Sequence, residues 1–172
     1  MVALNAACDY LVLMGYDYNW KGSKLAGPVA PLEGPLSIAK SVETYLGKGV
    51  SADKLVLAVP YYGYDWPVQD DKVHALTTGP GAPIVYHAAK ASAQTNGRNF
   101  DAATASPFYS YQNGNAWHQV WYEDAESLSA KYNLVKSRGL AGAGIWALSY
   151  DGANPELWDA LGSAFFEPSP AP

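Results

Sequence analysis

Two short runs of almost unbroken apolar residues, 9–16 (DYLVLMGY) and 54–59 (KLVLAV), constrain the fold more than any other feature of this chain. Neither alternates polar with apolar residues, so both sides of each segment are expected to be covered. That is the habit of strands inside a parallel sheet. Between them lie a Gly- and Pro-rich stretch, 20–35, and a helical pattern that Ser37 caps. Ile38, Val42, Tyr45 and Leu46 fall on one face of that helix, and Gly47 ends it. Pro60 stops the second strand. Strand, helix, strand in this order predicts parallel pairing through a right-handed crossover.

The rhythm breaks after residue 65 and returns near residue 123. The middle holds Gly, Pro and Asn clusters, a weak helix at 86–93 and a hairpin. Aromatic-rich arms at 108–111 and 117–121 flank a turn at 112–115 that contains Asn113-Gly114, a strong hairpin signal. This predicts a small α+β insertion standing on a βα loop. Glu123 and Asp124 then open a helix, where carboxylates oppose the positive end of the helix dipole. Leu128, Tyr132 and Val135 supply its buried face and Gly139 its stop. A third strand is expected at 142–148 (GAGIWAL). Asn154-Pro155 opens a last helix, with Leu157, Trp158 and Leu161 facing inward. The predicted units are therefore 1–65, 66–122 and 123–166, followed by a linker or frayed tail at 167–172 (EPSPAP) that leads toward another module.

Composition narrows the partners. Apolar residues make up 49% of the 172 and charged ones 16%, which is globular and excludes wholesale disorder. The net charge of −5, with no basic stripe to offset it, argues against nucleic acid. The longest apolar runs are far too short to span a bilayer, so no membrane partner is expected. Cys8 stands alone, which leaves no internal disulfide and no thiol metal cluster; it reads as a small buried hydrophobe near a strand start. His74, His87 and His118 lack metal-ligand spacing and read as surface or hairpin residues. Asp70-Asp71 reads as a solvated loop, and residues 78–81 lack the Lys-Ser/Thr of a phosphate loop. There is no nucleophile elbow. Neither metal nor cofactor is expected. No charged leader with an apolar core follows Met1; a strand-like segment comes within eight residues, and so abrupt a start suggests that the natural N-terminus lies further upstream.

Six Trp and thirteen Tyr give the chain many flat apolar faces with polar edges. Sugars present matching surfaces, although a Trp-rich core would use the same residues. Tyr16-Asp17, Tyr61-Tyr62 and Trp146 fall at the C-terminal ends of the three predicted strands, the edge at which α/β folds place ligands. Taken singly, each reads as a strand-end residue with a satisfied side chain. Three on one rim read as a site.

The residues at 13–17 (LMGYD) resemble the Met-x-Tyr-Asp end of the sixth barrel strand in family 18 glycoside hydrolases. Residues 54–63 (KLVLAVPYYG) resemble that family's seventh strand with its Pro-x-Tyr-Gly ending, 117–131 the exit from its α+β insertion, and 142–151 (GAGIWALSYD) its eighth strand. The segment 61–66 (YYGYDW) is most similar to the branch that includes spore-cortex and other peptidoglycan-type hydrolases. The resemblance implies an α/β fold: part of a TIM (β/α)8 barrel, equivalent to strands 6 to 8, with an α+β insertion after strand 7. It also implies a secreted or cell-wall-associated parent and a retaining, substrate-assisted mechanism on β-linked N-acetylglucosamine polymers, chitin or peptidoglycan. By that resemblance Tyr16 bonds the acetamido group, Asp17 supports it, Tyr62 lines the pocket and Trp146 forms the floor under the sugar.

Two departures stand out. Tyr64 occupies a position where the family often has Arg. More important, the family's Asp-x-x-Asp-x-Asp-x-Glu motif is absent, and Glu33, Glu43, Glu123, Glu126, Glu156 and Glu167 fall in loops, helices or the tail. No catalytic acid is therefore assigned, and the chain is expected to be inactive alone. Three readings follow: part of a hydrolase, a non-catalytic carbohydrate-binding protein, or a structural fragment without a ligand. A complete barrel takes about 250 residues. Three strands alone would leave open edges and an uncovered face, so the missing barrel half or self-association is expected as a partner, unless the chain is a truncated remnant.

Overall fold

The computed structural model describes residues 1–166; the tail at 167–172, expected to be a linker, lies outside the described residues. The architecture is mixed α/β. A three-stranded sheet is built from β1 (Leu11–Met14), β2 (Leu55–Pro60) and β8 (Gly142–Trp146), in the order β1-β2-β8 and parallel throughout. Among the described residues the sheet stays open and no barrel closes. Helices α2 (Ile38–Gly47), α4 (Ala125–Ser137) and α5 (Glu156–Phe165) supply its cover. Leu13, Leu55, Leu57 and Val59 pack with Ile38, Val42, Leu128, Tyr132, Val135 and Leu157 in one core.

The continuous apolar pattern overstates the cover. Val12 and Met14 are 61% and 65% exposed while Leu13 between them is buried, so β1 is covered on one face only. Among the described residues nothing packs on its other side. The strands are also shorter than the apolar runs at 9–16 and 142–148 suggested, because the residues beyond β1 and β8 turn away to form the rim.

The expected helices form, with Ser37 capping α2 as expected. Ser37 accepts a hydrogen bond from the Lys40 amide, and Asp124 and Ser127 make a reciprocal capping box at the start of α4. Gly139, with φ +61°, turns the chain out of α4. At α5 the cap falls on Pro155 rather than Asn154, whose side chain instead bonds the Asp151 carbonyl at 2.7 Å and accepts from Lys90 at 2.8 Å. Trp158, expected to face inward, is 39% exposed and donates from its indole to Asp151 at 2.8 Å. Ahead of the expected first strand the chain forms α1 (Val2–Ala7), and Cys8 after it is half-buried rather than buried. Lys54 draws the carbonyls of Asn5 and Cys8 onto its ammonium at 2.8 and 2.9 Å.

The middle of the chain forms an antiparallel sheet with more strands than its sequence signalled. Its members are β3 (Tyr62–Val68), β4 (Ala82–Val85), β5 (Asn99–Asp101), β6 (Ser106–Asn113) and β7 (Ala116–Trp121), in the order β4-β3-β7-β6-β5. Helix α3 (Tyr86–Asn96) is longer than the residues 86–93 expected. The β6–β7 hairpin pairs Asn113 with Ala116, so its loop is Gly114-Asn115, one residue later than the Asn-Gly signal suggested. Gly114, at φ +61°, takes the first loop position, as in a type II′ turn. Only Tyr61 separates β2 from β3, and it is fully buried. Pro67 sits inside β3 without cost to the β7 ladder. Its carbonyl accepts from Thr78 on the opposite side, and β4 pairs only with residues 62–65.

Candidate functional site

The parallel strands bring their C-terminal ends to one rim. At Gly15 the chain passes so close to β2 that an added Cβ would lie 2.7 Å from Leu57 and 2.9 Å from the Ala58 carbonyl, which only glycine tolerates. Two residues on, Asp17 takes φ +59°, a left-handed conformation that costs free energy in a residue with a side chain. Tyr62, the first residue of β3, donates its hydroxyl to the Asp17 carboxylate at 2.6 Å. The Tyr16 ring meets Tyr62 edge-on at 6.1 Å and Trp146, the last residue of β8, at 6.5 Å.

The four residues singled out in the sequence thus come together, from three different strand ends. Asp17, Tyr62 and Trp146 line a cavity of about 320 Å³. Tyr16 flanks it through its contacts with Tyr62 and Trp146. Sequence reasoning missed the rest of the lining, namely Tyr64 on β3, residues 83–85 of β4 and Tyr150 beyond β8. The signal for Tyr64 was present in the period-2 spacing of Tyr62, Tyr64, Trp66 and Val68. Pro83, Ile84 and Val85 carried none.

Among the described residues Asp17 is the one carboxylate on the cavity wall, and no Lys or Arg lines it. Burial, and then the hydrogen bond to Asp17, push the Tyr62 phenol far above its ordinary value. Burial followed by the Asp17 charge raises Tyr16 and Tyr64 as well. These phenols therefore remain neutral and able to donate. With the half-exposed Trp146 indole in its lining, the cavity offers hydroxyl donors, one carboxylate acceptor and a flat apolar face. Such a set suits a sugar ring with an amide substituent.

A larger cavity, about 570 Å³, opens between α3 and the N-terminal ends of α4 and α5. Its charges are already paired: Arg98 holds Asp124 at 2.7 Å and Glu126 at 2.6 Å, and Lys90 holds Glu156. Its aromatic residues, Tyr86 and Tyr122, are buried at 2% and 3% exposure and present no free face. The smaller rim cavity is the better site.

The rest of the acid inventory lies elsewhere. Glu123 is fully buried on Lys131 at 2.6 Å, so it is an ion-pair member rather than a second helix-end charge. All three histidines belong to the antiparallel unit: His74 stacks on Trp121 at 4.8 Å, His118 meets Asp65 at 2.9 Å, and His87 on α3 lies near the Tyr150 carbonyl. Among the described residues no cluster of three or more His, Cys, Asp or Glu could hold a metal ion.

Residues 1–151 match glycosyl hydrolases family 18, and the chain belongs to that family. It is 31% identical over 160 residues to the cortical fragment-lytic enzyme of Bacillus subtilis (strain 168), covering 91% of this chain and 35% of that protein. With the di-N-acetylchitobiase of Mus musculus it shares 32% identity over 183 residues, covering 90% of this chain and 49% of the relative. Its fold superimposes on a family 18 chitinase from Cycas revoluta, solved in complex with (GlcNAc)3, with a TM-score of 0.82 at 22% identity, over 94% of this chain and 48% of that one. The chain therefore spans at most about half the length of these relatives. Chitinase-like neighbours of this kind are TIM barrels, and the sheet described above is an open one.

Proposed function

We propose that the chain forms the C-terminal part of a family 18 hydrolase barrel, equivalent to strands 6 to 8 with the antiparallel sheet inserted after strand 7. Its substrate class is a β-linked N-acetylglucosamine polymer, chitin or a peptidoglycan glycan strand. The observation that carries this reading is the meeting of Tyr16, Asp17, Tyr62 and Trp146 at one rim around a cavity with a single carboxylate. Trp146 supports the apolar face of a sugar. Tyr16 donates to its acetamido oxygen. Asp17, held by Tyr62, orients that amide so that its carbonyl oxygen reaches the anomeric carbon as the glycosidic bond breaks.

The leaving oxygen needs a proton, and the residues of the rim cavity supply no acid for it. Tyr62 is held neutral and Asp17 faces the amide side. General acid catalysis contributes a factor of about 10² to 10⁴, so the chain alone is inactive. Assay of the 172-residue protein on a fluorogenic N-acetylglucosamine oligomer tests this. Turnover that survives Asp17→Asn and replacement of every Glu by Gln refutes the mechanism, and loss of turnover with one Glu→Gln change identifies the acid. A second reading, a non-catalytic carbohydrate-binding protein of the same fold, is favoured by a cavity that holds sugar-compatible groups without an acid. Saturable binding of the oligomer without hydrolysis, by a protein that gains no activity when upstream barrel segments are supplied, distinguishes it.

A further inference from the structure

The wall that β3 and β4 give to the rim cavity differs in kind from the wall given by the parallel strands. Tyr62 and Tyr64 stand two residues apart on β3 and so share a face. Their rings meet edge-on at 5.9 Å, and Tyr64 also packs on Trp66 at 5.4 Å, which fixes it between two aromatic rings. Pro83 on β4 pairs in register with Tyr64 and extends the same wall. Among the described residues this side of the cavity holds phenols, a proline and aliphatic residues, but no ammonium or guanidinium group. The Asp17 carboxylate adjoins it, accepting from the Tyr62 hydroxyl at 2.6 Å.

A ligand hydroxyl or amide entering here finds donors, an acceptor and apolar faces. A ligand carboxylate finds no counter-ion, loses water to the aromatic wall and meets the like charge of Asp17 in the same cavity. We propose that Tyr64 is a specificity-determining residue: with Tyr62 and Pro83 it keeps this wall neutral, so the cavity accepts an uncharged N-acylated sugar and rejects one carrying a free carboxylate. The inference rests on the carbohydrate reading above and sharpens it to a choice by charge.

The test compares two ligands by calorimetric titration of the 172-residue chain at low salt. One is chitotetraose; the other is a tetrasaccharide alternating N-acetylglucosamine with N-acetylmuramic acid, its lactyl carboxylates free. The neutral sugar should bind at least about tenfold more tightly. Tyr64→Lys should narrow the ratio by tightening the charged ligand, and higher salt should narrow it in the wild type. Should Tyr64→Lys fail to fold, the same muramyl tetrasaccharide with its carboxylates reduced to alcohols gives the answer on the wild type. Recovered affinity supports rejection by charge; no recovery means that bulk decides and overturns the inference. Equal affinities, or a ratio unmoved in a folded Tyr64→Lys variant, overturn it too. Those results leave the carbohydrate site standing, whereas failure of both sugars to bind removes the site and the inference together.

Discussion

The two sheets of this molecule solve the problem of burial differently. The antiparallel sheet is covered on both faces. Val120 and Tyr109 pack against Ala89 and Ala93 of α3 on one side, while Trp66, Trp121 and Phe108 lie under Ala26, Val29 and Ala75 on the other. The His74 and Phe108 rings stack on Trp121 at 4.8 and 4.6 Å. The parallel sheet is covered on its helical side alone, and leaves Val12 and Met14 of β1 and the rim indole of Trp146 in the open. A sheet with cover on both sides needs nothing further. A parallel sheet open on one side leaves Val12 and Met14 in water, although Ala58, in register with Met14, stays buried between its neighbours.

The sharpest way to break this comparison is to cut equivalent apolar groups from each sheet. Trp121 is fully buried, so Trp121→Ala should cost about 3–5 kcal/mol. Met14→Ala, at a site 65% exposed, should stay within about 0.5 kcal/mol. Urea unfolding of the monomeric chain measures both. Comparable losses would mean that Met14 is packed in solution. Sedimentation across a concentration series then tells whether a second copy covers it, because Met14→Lys should disperse such an assembly and leave the Trp121 core intact.

A buried ion pair stands where the two regions meet. Lys131 on α4 is fully buried, holds Glu123 at 2.6 Å and reaches the Ala105 carbonyl at 3.3 Å, just before β6. Ser127 donates to the same Glu123 oxygen at 2.7 Å, while the other oxygen is buried without a partner. Burial outweighs the opposing pull of Lys131 and pushes the Glu123 carboxyl up to about 7. A raised carboxyl favours the protonated form in the fold. Its contribution to stability is therefore complete below the unfolded value, near 4.5, and is lost as pH rises through about 7. The unfolding midpoint should fall over that window in the wild type and lose this component in Glu123→Gln. Lys131→Met, which strands the carboxylate, should cost about 3–5 kcal/mol at pH 8, and the double change to Glu123→Leu with Lys131→Met should recover most of it. If the double variant is as unstable as the single one, the pair is held by geometry that apolar side chains cannot replace.

The same contrast explains what the sequence disclosed. β1, β2 and β8 were legible because their apolar runs are bounded by Pro60 and by rim aromatics, and α2 and α4 because Ser37 and Asp124 cap them. β3 was hidden by Gly63 and Pro67, which break a strand pattern even though Tyr62, Tyr64, Trp66 and Val68 alternate through it. β4 and β5 have 4 and 3 residues, too few for a period to show. Four rim residues were visible because they end strands. Residues 83–85 were not, because only the folding of the antiparallel unit back onto the rim places them there, and Tyr150 was not, because it lies in the turn after β8 rather than at the strand end. Glu123 looked like a helix-end charge, and Asp124 beside it plays that part; the eight-residue separation of Glu123 from Lys131 gives no helical signal for their pairing.

The smallest expected effect tests where the parallel unit meets its ligand. Trp146 is 54% exposed, lies on the cavity wall and packs on Tyr16, whereas Trp20 is 50% exposed and lies outside the cavity lining. Exposure alone treats the two indoles alike; position does not. Stacking of a sugar on an aromatic face is placed at about 1 kcal/mol by analogy with aromatic pairs, so Trp146→Ala should weaken chitotetraose binding about fivefold. Trp146→Phe keeps a flat ring and should lose less, and Trp20→Ala should leave the affinity unchanged. Titration calorimetry resolves a change of that size. Equal losses from Trp20→Ala and Trp146→Ala would mean that the ligand runs beyond the rim onto the 20–35 loop, and the boundary drawn around the cavity would have to move outward with it.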